Sequence, residues 1–171
     1  MSKVSQWYER RFDFRFPVEL YPNMCARLRG TPARLEELIG ASPRTRLIGK
    51  PAGAWSALEN AGHLLDLEFL WLARVEDFVN GAETLAATDL ANRKTDEANH
   101  NARPAGEILA EFRRARARLM ERIEPFETAM YARVALHPRL KTPMRLVDHL
   151  FFVAEHDDHH LARIWELSRM T

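Results

Sequence analysis

The chain has 171 residues, of which 46% are hydrophobic and 29% charged, with a net charge of +1. That length suits one domain with a sizeable core, and the charge balance argues against a nucleic-acid partner. The single cysteine, Cys25, excludes an intrachain disulfide framework. With no signal-peptide core and no run long enough to span a bilayer, the expectation is a soluble cytoplasmic protein with no membrane partner.

Residues 1–17 mix aromatics and arginines, Trp7, Tyr8, Arg10, Arg11, Phe12, Phe14, Arg15 and Phe16 among them. They read as an N-terminal arm, extended or in a short helix packed across a bundle. A first helix is expected over 18–39, with Leu20, Met24, Leu28, Leu35 and Leu38 as its apolar stripe. Gly30-Thr31-Pro32 predicts a kink or a restart, with Thr31 as cap.

Pro43 and Pro51 mark a loop, and a second helix is expected over 55–79, closed by Gly81. Trp55, Leu58, Gly62, Leu65, Phe69, Leu72 and Val79 step mostly by threes and fours, as in a bundle seam. Glu59, His63, Asp66, Arg74 and Asp77 form a polar stripe, which suits either solvent or an internal polar cavity. Residues 82–103 are polar and long for a connection, a length associated with function or mobility. They carry His100, either a surface histidine or an additional site residue.

A third helix is expected from Pro104, with Ile108, Phe112, Ala115, Leu119 and Ile123 facing inward. Arg113, Arg114, Arg116 and Arg118 read as a solvated face, with Glu111–Arg114 and Arg118–Glu121 as i,i+3 pairs. Residues 126–141 suit a short strand or an irregular crossover. Thr142-Pro143 then reads as the cap and first residue of a fourth helix over 142–169.

That last helix carries Glu155-His156-Asp157-Asp158-His159-His160-Leu161-Ala162-Arg163-Ile164. His156 and His160 leave the helix ~40° apart and ~6 Å along its axis, a spacing that lets two imidazoles reach one divalent ion. The alternative is three histidines on a partly solvated face. On a helical wheel His160 and His149 lie at the inner edge of the apolar arc, and His159 lies outside it. Asp157 falls near the middle of the arc, where a carboxylate needs a partner. A ligand histidine's second N–H would serve, and so would an arginine from another helix.

Two stretches carry a family resemblance. Trp55-Ser56-Ala57-Leu58-Glu59-Asn60-Ala61-Gly62-His63-Leu64-Leu65-Asp66 is similar to the second-helix signature of the DinB/YfiT-like superfamily, and residues 155–164 resemble its fourth-helix signature. The resemblance implies an all-α four-helix bundle with a long crossover, covering most of the chain and commonly found as a homodimer. It also implies a divalent metal on three histidines, which fall on His63, His156 and His160. Imidazole ligands suit zinc, nickel, iron or copper, with zinc or nickel placed first. Glu59, Asp66 and Asp157 lie within about a turn of a ligand and are candidates to support it, while His100, His149 and His159 receive no role.

Three histidines leave coordination positions open, as in catalytic rather than structural sites. The expectation is a metal-dependent enzyme on a small-molecule substrate, a low-molecular-weight thiol transferase ahead of a hydrolase. The alternative is a non-catalytic metal-binding stress-response dimer, since no independent general base stands out.

Overall fold

A computed structural model describes residues 4–51 and 53–169. Four long helices dominate: α1 (Tyr21–Gly40), α2 (Ala57–Asn80), α3 (Ala105–Ile123) and α4 (Leu146–Leu167). α1 and α2 each pack against α3 and α4, so α1 lies diagonally across from α2. Ion pairs set the directions. Arg116–Glu68 and Arg122–Glu76 align α2 and α3 in parallel, whereas Arg113–Glu36 and Arg29–Glu124 show α1 and α3 antiparallel. No described helix is long and apolar enough to cross a membrane.

Because α2 and α3 run parallel, the 82–103 connection must return along the length of α2. It does so through a short helix, Arg93–Glu97, and a 3-10 turn, His100–Ala102. Thr95 and His100 are thereby carried back to the N-terminal half of α2, where both contact Asp66.

Apolar burial is divided into two clusters. One contains Leu28, Trp71, Val75, Leu119 and Val153; the other contains Leu35, Leu64, Phe112 and Leu161. At the level between them each helix supplies a buried polar residue: Thr31, Glu68, Arg116 and Asp157. Arg116 pairs with Glu68 at 2.6 Å and with Asp157 at 2.6 Å, and Thr31 donates to Asp157 at 2.8 Å. Replacing a buried charge in such a network leaves its partners uncompensated, so all four helices depend on it. Arg116 thus departs from the solvated face read for the arginine run. Neither expected pair within α3 forms among the described residues; Glu111 pairs with Arg103 instead.

Other expectations are corrected as well. α1 runs unbroken through Pro32 rather than restarting at Thr31, whose hydroxyl faces inward. In α2, Phe69 is 79% exposed while Leu64, Trp71, Val75 and Phe78 are buried, so the core face is rotated from the expected seam. The polar stripe turns inward with it, and His63 and Arg74 are buried. Residues 126–141 hold a helical turn, Thr128–Tyr131, and strand β1 (Val134–Leu136). β1 pairs antiparallel with β2 (Pro143–Arg145), with Leu136 opposite Pro143. Pro143 therefore belongs to a hairpin and not to a helix. α4 starts three residues later, where Asp148 accepts the Arg145 backbone N–H at 2.8 Å.

Candidate metal centre

Local capping fixes where α2 begins. The Ser56 side chain accepts the Glu59 N–H at 3.0 Å, and the Glu59 carboxylate accepts the Ser56 N–H at 2.9 Å. Glu59 also meets Lys50 at 2.8 Å, so it serves the helix start and not the histidines. One turn in, Asn60 donates to the Ser56 carbonyl at 2.8 Å. Its amide oxygen is left to accept Nδ1–H of His160, 2.8 Å away.

His63 is oriented from the crossover. Its Nδ1 lies 3.0 Å from the Thr95 hydroxyl, which donates its own proton to Asp66 at 2.9 Å. Thr95 therefore accepts from His63. Asp66 accepts again from His100 Nε2 at 2.8 Å. Burial raises the Asp66 pKa, but His100 and Thr95 together hold it below the ordinary value. In both His63 and His160 the neutral ring carries its proton on Nδ1 and leaves the Nε2 lone pair available.

The third imidazole, His156, packs edge-on against Trp7 and Trp71, at ring separations of 5.0 and 5.5 Å. Its buried Nδ1 has no hydrogen-bond partner among the described residues. The three rings lie 4.5 to 5.3 Å apart, and one nitrogen from each falls within 4.8 Å of the others. Burial pushes His63 down to about 4 and His156 and His160 well below their usual range; neighbouring imidazoles reinforce the shift in all three, although the Asp66 charge opposes it at His63. Three neutral nitrogen donors converging at one point fit a divalent transition metal.

The histidines line a cavity of about 440 Å³. Trp55 lies over His63, with ring centroids 4.7 Å apart, and is anchored by its indole N–H on Asp96 at 2.8 Å. The N-terminal arm forms another wall. Trp7 packs on Phe12, Phe152 and His156, and Arg10 pairs with Glu155.

A model of the DinB superfamily matches residues 27–164. The chain belongs to the DinB superfamily. Among solved structures this DinB protein is similar to YfiT from Bacillus subtilis, described as a probable metal-dependent hydrolase with an unusual four-helix bundle topology. The TM-score is 0.82 at 20% identity, over 94% of this chain and 93% of that one. It is also similar to a mycothiol-dependent maleylpyruvate isomerase, with a TM-score of 0.67 at 11% identity, over 86% of this chain and 60% of that one. At these identities the likeness is one of fold, and it establishes the four-helix bundle. No curated protein matches the chain in sequence.

The structure brings His63, His156 and His160 together. Of the three carboxylates considered as supports, only Asp66 reaches a member of the group, through Thr95. Asp157 belongs to the Arg116 network. His100 is buried, and His159 is half-buried against His160, with ring centroids 5.0 Å apart. His149 lies apart, among Trp71 and Phe78. Sequence reading did not single out Asn60, Thr95, His137 or Arg139. Asn60 carried a weak signal, one turn before His63. Thr95 carried none, because its place depends on the path of the crossover.

Proposed function

We propose that this DinB protein is a metal-dependent enzyme acting on a small molecule, with His63, His156 and His160 as the metal ligands and zinc or nickel ahead of iron or copper. The observation that carries this is the convergence of three neutral imidazoles, two with their Nδ1 protons committed to Asn60 and Thr95, at the wall of a cavity of substrate size. A metal there supplies a Lewis-acidic position that binds and activates a thiolate or a water. The chain's own residues hold the ligand tautomers and wall the site with Trp7, Trp55 and Trp71. The mycothiol dependence named for one structural relative supports a low-molecular-weight thiol, and the description of YfiT supports hydrolysis.

A second reading, a non-catalytic metal-binding stress-response protein, is favoured by one observation. The carboxylates nearest the histidines are all engaged: Asp66 by Thr95 and His100, Glu59 by Lys50 and the helix cap. Under either reading we expect a cytoplasmic homodimer, which sedimentation of the purified protein tests.

Elemental analysis of untagged protein is the deciding experiment. One metal equivalent per chain is expected, and none in a His156→Ala/His160→Ala variant. Turnover with thiol or hydrolysable substrates then separates the enzyme from the binder. Protein that stays metal-free when zinc and nickel are offered would overturn both readings.

A further inference from the structure

The cavity beside the histidines has a second polar region that the metal reading does not use. Arg74 from α2 and Arg139 from the β1–β2 hairpin both line it. Neither makes an ion pair with a described carboxylate, although most arginines of the bundle do. The side chains lining the cavity include no aspartate or glutamate.

Arg74 is 1% exposed and buried charges are ordinarily paired, so its surroundings are informative. Its Nε donates to the Ala86 carbonyl at 2.9 Å, while Nη2 has no acceptor among the described residues. Nη1 lies 3.2 Å from His137 Nε2, but that contact is not a satisfied hydrogen bond. His137 Nδ1 already accepts the backbone N–H groups of Arg139 and Leu140, at 3.2 and 3.1 Å. The neutral ring therefore carries its proton on Nε2, and donor faces donor. Arg139 Nη2 and Trp71 Nε1 are likewise buried without acceptors. Burial lowers Arg74 to about 10, against partial compensation by Asp77, and burial also lowers Arg139; neither guanidinium has a carboxylate in direct contact among the described residues.

Five donor groups here lack an acceptor among the described residues, three of them on guanidiniums, and the cavity they border has no carboxylate in its lining. A small oxyanion supplies what is missing: negative charge and several lone pairs in the fork geometry that guanidiniums prefer. Trp71 relates this region to the histidines, since its ring lies 5.5 Å from the His156 ring and 5.5 Å from Arg74 Cζ.

We infer that Arg74, Arg139 and the Trp71 indole N–H form an anion subsite of the cavity, so that the substrate of this site carries a carboxylate or phosphate held about an indole's width from the three histidines. This rests on the proposed small-molecule cavity but not on the metal. The subsite fixes which end of the substrate enters beside Trp71 and directs the opposite end toward His63, His156 and His160.

The test is calorimetric titration of full-length, zinc-supplied protein with acetate and with inorganic phosphate, against chloride at matched ionic strength. At least one of the two should bind tenfold or more tightly than chloride, and the tighter one identifies the group. Arg74→Met and Arg139→Met should each weaken that binding at least tenfold while leaving metal content at the parent value. Should Arg74→Met fail to fold by circular dichroism, Arg139→Met carries the test, because the Arg139 side chain has no hydrogen bond to lose. The His156→Ala/His160→Ala variant should retain anion binding. No preference over chloride, unchanged binding in the arginine variants, or binding that vanishes only with the histidines would overturn the subsite. Anion binding by protein that takes up no metal would instead retain the subsite and remove the metalloenzyme reading.

Discussion

Arg116 donates through Nη1 to the main-chain carbonyl of Leu28, 3.0 Å away. That carbonyl would normally accept from the residue four positions on, which is Pro32 and has no N–H to give. A guanidinium from α3 thus supplies the donor that α1 lacks, and the same side chain joins Glu68 to Asp157. α1 remains continuous through its proline because its open carbonyl is met from the side. Arg116→Met should cost about 3–5 kcal/mol, since it leaves two buried carboxylates and a main-chain acceptor unpaired. Urea denaturation of the two proteins measures this, with the midpoint falling and the slope unchanged.

Asp157 stands next to His156 in sequence but turns to Arg116 and Thr31. Asp157→Asn should therefore destabilise the bundle by about 1–3 kcal/mol while metal content stays at the parent value. Loss of metal at unchanged stability would assign the carboxylate to the histidines instead.

The physical limits of reading the sequence are visible at these residues. Helix number, approximate helix bounds and the inward face of α3 follow from periodicity, and Ile108, Phe112, Leu119 and Ile123 are buried as expected. The DinB-type pair of motifs identified the fold, and the three histidines it singled out share one wall of the cavity. Periodicity failed on α2 because that helix is apolar around most of its circumference, so charge could not separate solvent from an internal polar cavity. It failed at Arg116 for a related reason: an arginine buried between two carboxylates has the same local sequence as one in water. Thr142-Pro143 suits a helix start as well as a strand end, and only pairing with Leu136 distinguishes them.

Gly62 lies under the ring of His100. A Cβ built there would fall 2.3 Å from the imidazole, whose Nε2 is held by Asp66 at 2.8 Å. Alanine ordinarily stabilises a helix interior by about 1 kcal/mol over glycine. Here overpacking reverses the sign, and Gly62→Ala should destabilise by about 1–3 kcal/mol. Chemical-shift changes at His100 and Thr95 would show the crossover displaced.

Thr95 lies between His63 and Asp66, accepting from one and donating to the other. Valine keeps its shape and removes both hydrogen bonds. Under the proposed metal centre, Thr95→Val should weaken metal affinity about 10–100-fold, as loss of a partner behind a ligand histidine does elsewhere. Competition with a chromophoric chelator measures it. Stability without metal should fall by about 1–3 kcal/mol, because the buried His63 Nδ1–H is left without an acceptor.

Acid should act on the metal-free fold through its histidines. Burial holds His63 down to about 4 and His137 to about 3, and His149, His156 and His160 also lie well below the ordinary 6.5. Below pH 6.5 the unfolded chain takes up protons at these rings and the folded chain does not, so stability falls as pH falls. Each such ring contributes a loss of about 1 kcal/mol over the first pH unit below 6.5, and the loss ends once pH drops below the folded values. Metal-free protein should therefore lose several kcal/mol between about pH 6.5 and pH 5.5, a window in which surface carboxylates barely titrate. Denaturant midpoints across that window measure the slope. Zinc in excess should raise stability by a nearly constant amount across that window without changing the slope, because the folded rings are already unprotonated there and the bound ion displaces no proton. The increment should shrink near pH 4, where the rings begin to charge. A flat profile in the metal-free protein would mean that these rings take up protons as readily in the folded state as in the unfolded chain.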